Sequence, residues 1–387
     1  MSLDAINKEF WGDLQADLYV KNSAVYLANK SGESLINQSG SVLHRPIMSM
    51  PDTGTYIPYS DITFNQKSAE DQTLTVDTYK YAADEIDDTD AAQTPYSLPE
   101  HSSMSIRRGL MNKVEQEFTT EFANARHAIA SSPVTVDSTN VVNVFAEATG
   151  TLGAFDAPIE TAMRAAVLGP KTIATLQASQ AIRESGLGDR VMENGLIGPF
   201  LGYNVVMNNN LPWSASLAIG TQPTDGDTVV ISGVTFTFKT TLGSTAGNVL
   251  IGASATTARA NLAAAVNGTS GAGSTYVELS NENKYLLREK RGLAATSDAT
   301  MAFTGFGDIS VSETLTASAD VWSAQRQTSI FMVRGAIDMV LQLKELEIIR
   351  KEKGFADLVK GMIGVGTKTF NDGATLMVKM TQDVSNF

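Results

Sequence analysis

Gly195-Leu196-Ile197-Gly198-Pro199-Phe200-Leu201-Gly202-Tyr203-Asn204-Val205-Val206, followed by Asn209-Asn210-Leu211-Pro212, is the stretch on which the fold of this chain turns. It reads as a hairpin and strand, with Gly195, Gly198 and Gly202 as punctuation. It closes a region, from about 134 to 212, that has the look of compact α/β structure. Residues 141–148 and 158–167 are helical candidates, Ala166-Val167-Leu168 leads into Gly169-Pro170, and 172–179 suggests a further helix.

Upstream lies the clearest local pattern in the chain. Ile106, Leu110, Val114, Phe118 and Phe122 recur every four residues, with Met111 beside them and Arg107, Arg108, Lys113, Glu115, Glu117 and Glu121 on other faces. With Pro99 before it and Ser131-Ser132-Pro133 after it, the spacing predicts a helix over 103–130, about 40 Å long at ~1.5 Å per residue. Before this strut the period changes to two. Leu74, Val76, Thr78 and Lys80 alternate with Thr73, Thr75, Asp77, Tyr79 and Tyr81, which predicts one long strand. Ile62-Thr63-Phe64 suggests its partner and Pro51-Asp52-Thr53-Gly54 a turn, so the region reads as a long hairpin with little core of its own. Leu3, Ile6, Phe10, Leu14 and Leu18 form an apolar helical stripe near the N-terminus. Such a stripe lies either on the protein's own core or, as an arm, on a neighbouring subunit.

Downstream, composition shifts to Thr, Ser, Ala and Gly over about 216–319, where Pro223 is the only proline. Val229-Val230-Ile231, Ser232-Gly233 and Val234-Thr235-Phe236-Thr237-Phe238 carry a hairpin signature. Residues 256–266 read as a helix, and 276–279, 285–287 and 309–311 as strands. About 100 residues suffice for a small α+β domain, here inserted between two parts of another fold. Residues 329–349 are strongly apolar and read as a helix ended by Lys351-Glu352-Lys353-Gly354, and a strand pattern punctuated by Gly361, Gly364 and Gly366 closes the chain.

The whole chain has 387 residues, 43% hydrophobic and 18% charged, an ordinary globular balance. No run approaches the roughly 18 apolar residues of a membrane span. Met1-Ser2-Leu3-Asp4 starts no signal peptide, so the expected place of synthesis is a cytoplasm. With no cysteine, disulfides, thiolate metal sites and cysteine nucleophiles are excluded. The net charge of −13 argues against a dedicated nucleic-acid binder, because such affinity comes largely from Lys and Arg on phosphates. It is compatible with a container whose genome must slide in and out.

The ordered set of segments resembles the tailed-bacteriophage major capsid protein family, with its Hong Kong 97-like fold, shared by encapsulin compartments and the floor of herpesvirus shells. The 195–212 stretch resembles the family's turn into an axial-domain strand. Phe331-Met332-Val333-Arg334-Gly335-Ala336-Ile337, continuing to Arg350, Gly354, Asp357 and Gly364-Val365-Gly366, resembles its returning helix and Gly-containing strand. Tyr79-Lys80-Tyr81 with Ile86-Asp87-Asp88-Thr89-Asp90 is similar to the base of the family's extended loop, and Arg164 and Pro170 match positions often occupied so. The resemblance implies an N-terminal arm over 1–41, an extended loop over 42–96 and a spine helix of the peripheral domain over 97–134. It further implies an axial domain with peripheral segments over 135–215, the inserted α+β domain over 216–319, and a return through both domains over 320–387. The short arm before the loop, starting at Met1, implies a separate scaffolding protein. Some relatives crosslink through a Lys–Asn isopeptide bond; Lys67 lies in the corresponding loop, without an assignable partner.

Chemistry offers little competition. His44, His101 and His127 are the only histidines; none accompanies a Gly-x-Ser-x-Gly nucleophile, no His-x-x-x-His pair exists, and phosphate-loop and dinucleotide fingerprints are absent. His127 is expected on the strut helix and His101 just before it. Asp84, Glu85, Asp87, Asp88 and Asp90 form the sole metal candidate, but lack the glycine of a calcium loop, so a solvated or intersubunit ion-pair face is expected, with Arg107, Arg108 or Lys113 of a neighbour as candidate partners. Asp225-Gly226-Asp227 reads as a turn. No catalytic, cofactor-binding or metal residue is assigned. The expectation is a non-enzymatic shell subunit forming pentamers and hexamers of an icosahedral head, located in the virion after assembly in the bacterial cytoplasm. Its implied partners are itself, a scaffolding protein, a portal protein, a decoration protein on the inserted domain, and packaged double-stranded DNA held without sequence specificity. No membrane is involved. An encapsulin compartment and a carbohydrate-binding or adhesion protein are the alternatives.

Overall fold

The computed structural model describes residues 24–36, 42–48, 53–62, 64, 66–93, 97–129, 133–155, 157–158, 160–179, 199–317, 319–352 and 354–384. The stripe at Leu3 to Leu18, the turn at Pro51-Asp52 and the first part of the 195–212 stretch fall outside them.

Helix α1 (Leu98–Thr120) has 23 residues, hence a length of about 35 Å. Ile106, Leu110, Val114 and Phe118 are buried along one side, and Phe122 continues the line from a 3-10 turn, Glu121–Asn124. The helix begins and ends earlier than its spacing predicts. Pro99 is accommodated in the first turn, where no N–H partner is needed, which also places His101 inside the helix. At the other end backbone donors leave the helix for a sheet: Arg126 N–H donates to Ala374 and Ile129 N–H to Lys379. His127 therefore sits in a two-residue strand, His127–Ala128, and not on the helix.

The extended arm is a hairpin of β1 (Val42–Met48) and β2 (Ala69–Thr75), paired antiparallel from Val42↔Thr75 to Met48↔Ala69. The predicted partner strand at Ile62-Thr63-Phe64 is not there: Ile62 and Phe64 lie in irregular backbone of the tip. The single strand predicted across Leu74 to Tyr81 is two strands. The alternation runs on unbroken, but at Val76-Asp77 the chain passes from one sheet to another, and β3 (Thr78–Asp87) starts.

Beyond α1, α2 (Val141–Ala154) precedes β4 (Arg164–Leu168), then α3 (Pro170–Ala178) and β5 (Tyr203–Met207) follow. The helix expected over 158–167 is overturned, since all five residues of β4 are buried strand. A strand covered on both faces shows no alternation, so its sequence cannot be told from a buried helix by period. The described end of the 195–212 stretch forms the expected hairpin: Phe200 pairs with Tyr203 across Leu201 (φ 45°) and Gly202 (φ 83°). Positive φ at both central residues is the two-residue turn that matches strand twist, and Gly202 supplies it at no steric cost.

β6 (Pro212–Ala218) leads into the Thr- and Ser-rich region, where β7 (Thr228–Ile231) and β8 (Val234–Lys239) form the predicted hairpin and α4 (Ala255–Asn267) the predicted helix. Ser254 Oγ caps α4 by accepting from Thr257 N–H, and Gly268 ends it in the left-handed region. Two strand expectations fail here. Tyr285–Lys290 is a π-helical turn, and Tyr276 makes only isolated bridges. Val311–Glu313 is a strand beside β7. β9 (Thr300–Phe306) pairs with β6 and so extends the large sheet of the frame.

The apolar 329–349 segment is not helical. It is the end of β10 (Trp322–Val333), a turn containing Gly335 at φ 85°, and β11 (Asp338–Arg350). The segment matched to a returning helix is thus a strand–turn–strand; 330–333 and 339–341 are buried at every position and so carry no period of two, while Ile348 and Ile349 at the far end are exposed. β12 (Ala356–Lys368) and β13 (Met377–Asp383) complete the chain. β10 is the hub of a nine-stranded sheet, pairing with β4, β6 and β13. On one face Phe145, Tyr203 and Phe331 pack edge to face with ring centroids 5.0–5.9 Å apart. The second frame sheet is β11-β12-β3, on which α1 lies.

Candidate assembly surfaces

The β1–β2 arm is a two-stranded sheet of its own, so its position depends on its base. There Leu74, Val76 and Phe370 are buried with Ile36 and Val340. Arg45 of β1 clasps this base: Nη1 donates to Asp338 (2.8 Å), Nη2 to Asp372 (2.7 Å), and the guanidinium lies 5.1 Å from the Phe370 ring centre. Asn29 also donates to Asp338. Burial nevertheless pushes the Asp338 carboxyl above the ordinary carboxylate range, outweighing the pull of Arg45 and Asn29. At the tip the physics reverses. Tyr59 is fully exposed, Phe64 is 84% exposed, and Tyr56, Ile57 and Ile62 accompany them. An isolated monomer gains nothing from such a cluster; exposed apolar groups gathered on one projection mark a contact surface. Lys67 lies exposed in the same tip.

The acidic run forms an ion-pair face within its own chain. Arg350 at the end of β11 donates to both Asp88 oxygens and to Asp357 (3.1 Å), and Lys351 pairs with Glu85. Ser102 of α1 donates to Asp84, and Asp87 accepts from the Thr89 N–H and hydroxyl. Hydrogen bonding from Arg350 holds Asp88 below the usual carboxylate range, and Thr89 does the same for Asp87. Among the described residues no group of three His, Asp or Glu side chains is placed to hold a metal ion. Asp88, the partner of Arg350, and Glu85, the partner of Lys351, lie about 260 residues away in the chain.

Along α1, Glu115 was expected on a polar face but is buried. It accepts from Ala24 N–H and from Asn208 Nδ2, each at 2.7 Å. Asn112 and Gln116 both donate to the Lys290 carbonyl (3.3 and 3.1 Å), and Lys113 approaches Glu289 at 3.8 Å, so the π-helical turn is tied to the strut. On the opposite side α1 meets β12 at Gly361. A groove of about 640 Å³ runs between α1, β3 and the π-helical turn. Arg164 is fully buried, its Nε and Nη2 donating to the carbonyls of Pro158 and Ala157, which fixes the chain leading into β4.

The histidines are dispersed. His44 Nδ1 lies 2.6 Å from Asp71 on the exposed arm, His101 is in the first turn of α1, and His127 stacks on Phe155 at 4.0 Å. Burial, with Arg126, pushes the His127 pKa down. Asp227 accepts from the backbone and side chain of both Thr224 and Thr316, the contacts of a turn anchor. No helix among the described residues is long and apolar enough to cross a membrane.

No known family model matches the sequence, and no curated protein matches it either. Solved structures do. A Mycobacterium phage Che8 chain superposes with TM-score 0.60 at 15% identity, covering 98% of both chains. The capsid structure of the cyanophage P-SCSP1u gives 0.57 at 13% identity, covering 99% of this chain and 94% of that one. The head structure of Helicobacter pylori bacteriophage KHP40 gives 0.53 at 10%, covering 98% and 96%. The chain has the Hong Kong 97-like fold of phage capsids, in an α+β frame with several sheets.

Proposed function

We propose that this chain is the major capsid protein of a tailed bacteriophage, a non-enzymatic subunit that assembles into the pentamers and hexamers of an icosahedral head around double-stranded DNA. The observation that carries the reading is correspondence over nearly the full length of both chains with phage capsid structures, and not over one module. The projecting arm supports it. Its apolar tip is exposed in the single chain, surface that contact with a neighbouring subunit would bury. Many modest contacts per subunit add through effective concentration, so no single interface has to be tight. Contacts of one subunit face with a different face of the next close into rings when the rotation closes.

The region 216–319 is read as an inserted α+β domain on the outside of the shell, bracing adjacent capsomers or receiving a decoration protein. Scaffolding and portal proteins are the further partners, assembly takes place in the bacterial cytoplasm, and DNA is enclosed without sequence-specific contacts. The test is electron microscopy of the purified chain, alone and with a co-expressed scaffolding protein. Closed shells or capsomer rings are expected. Monodisperse monomer under all conditions contradicts the reading.

A further inference from the structure

The apolar base of the arm anchors it without aiming it. Ile36, Leu74, Val76, Val340 and Phe370 form a small buried patch, and apolar contact is non-directional. Direction comes from polar groups on one face of the hairpin. Arg45 and Gln72 stand directly opposite each other in the β1–β2 register. Arg45 donates to Asp338 and Asp372, and Gln72 Oε1 accepts from Asn371 N–H at 3.2 Å. Both strands of the arm thus grip the short helical turn Asn371–Thr375. His44 and Asp71 pair with each other on the opposite face. Val76-Asp77 joins the arm to β3 and belongs to neither strand.

The charges at this clasp do not balance. One guanidinium meets two carboxylates, a net of −1 from one base and two acids. The Asp372 side chain is 52% exposed, whereas Asp338 is only 7% exposed. Burial above all, and Asp372 as a second negative charge, favour a proton on Asp338 against the pull of Arg45 and Asn29. Lys368, opposite Asp338 across the β11–β12 pair, and Lys30 beside Asn29 are both exposed, and Glu33 on that segment adds no positive charge. A proton taken up by Asp338 therefore brings the cluster to neutrality.

We propose that this cluster is a proton-sensitive latch: Arg45 aims the arm, and proton uptake at the Asp338–Asp372 pair tightens its hold. Lifting Arg45 away admits water to Asp338 and returns its carboxyl towards the ordinary range. The docked form then holds the proton more tightly than the open one, so docking is favoured at acid pH and weakens as pH rises through the raised value. With the proton lost, the arm keeps its apolar anchor but pivots about Val76-Asp77, carrying Tyr59 and Phe64 through a range of positions. The latch is a property of the single subunit and does not rest on the shell reading.

The chain has no cysteine, so two introduced ones accept spin labels cleanly. Asp61→Cys in the exposed tip and Ala146→Cys on the exposed side of α2 report the distance from tip to frame. Double electron–electron resonance measures it in the full-length unassembled subunit across a series from acid to neutral pH. The expected result is a narrow distribution at acid pH that broadens as pH rises, with the circular dichroism unchanged. Arg45→Ala should be broad at every pH. Asp372→Asn removes the surplus charge and keeps an oxygen to accept from Arg45, so it should stay narrow at neutral pH, where an ordinary ion pair would be loosened by the change. A wild-type distribution that ignores pH, an Arg45→Ala distribution as narrow as wild type, or an Asp372→Asn distribution broader than wild type at neutral pH would each overturn the proposal.

Discussion

Gly361 is where the strut touches its sheet, and enlarging it tests whether that contact is as tight as the geometry implies. A Cβ at position 361 would lie 2.9 Å from Ile106 Cγ2 and 3.1 Å from both Leu110 Cδ1 and Leu346 Cδ1. The leucine atoms are ends of flexible side chains. Ile106 Cγ2 is not: it branches at Cβ, and a helical isoleucine has one strongly preferred χ1. Relief must therefore come from moving α1 away from β12 by a few tenths of an ångström, along a face where Ile106 and Leu110 are buried. Overpacking of this kind costs about 1–3 kcal/mol. Glycine to alanine in an unstrained strand returns roughly 0.4–1 kcal/mol by restricting the unfolded chain. Gly361→Ala should thus destabilise the subunit by about 1–2 kcal/mol. Urea unfolding of the unassembled protein measures it, with the midpoint falling and the slope unchanged. Ile106→Ala removes the offending methyl, so the double variant should lie above the additive sum by roughly 0.5 kcal/mol or more. A neutral Gly361→Ala, or two changes that simply add, would refute the claim that Ile106 fixes the helix height.

At the arm tip, Tyr59→Ser with Phe64→Ser should leave the unfolding midpoint of the subunit where it was yet abolish or strongly delay shell formation, as followed by light scattering. Asp320 is buried where the 216–319 region returns to the frame, accepting from Gly220 and Thr221 N–H at 2.8 and 3.1 Å. Asp320→Ala leaves both donors unpaired at a cost of about 1–3 kcal/mol, and hydrogen exchange should rise first around Gly220 and Thr221. The Asp88 carboxyl is depressed by Arg350, so its contribution to stability is present above the ordinary carboxylate range and disappears as pH falls through the depressed value. Melting temperatures across an acid series should show wild type and Asp88→Asn converging at the low end. Asp338 carries the opposite sign. With its pKa raised by burial, it favours the fold when protonated, so wild type should gain relative to Asp338→Asn as pH falls through the raised value.

Elements whose pattern is local read correctly from the sequence, and those whose pattern depends on being covered twice did not. The four-residue recurrence from Ile106 to Phe118 made α1 plain because these apolar side chains line one face of it, although Glu115, Gln116 and Thr119 on other faces are buried as well. Ser232-Gly233 marked a hairpin because its two positive φ values, 52° and 80°, are a property of the turn itself. The 329–349 segment misled for the converse reason: its stretches 330–333 and 339–341 are buried at every position, and such runs are apolar throughout in a strand as in a core helix, while Ile348 and Ile349 are exposed. Arg350 and Lys351 found Asp88 and Glu85 through strand pairing of β12 with both β11 and β3, a long-range register that no spacing reveals. Glu115 looked like a surface residue because helical phase cannot say that Ala24 and Asn208 will cover it.

What the sequence by itself determined is the order of parts: arm hairpin, strut, α/β frame, Thr- and Ser-rich region, apolar returning segment. Each follows from short-range periodicity, turn chemistry and composition, which operate within a few residues. Only the tertiary structure decided which apolar runs became strands, where α1 rests, and which charges neutralise one another. It also decided that the Tyr59 and Phe64 cluster is left without cover. Those outcomes depend on which surfaces meet, and burial on a second face leaves no periodic trace in the chain that undergoes it.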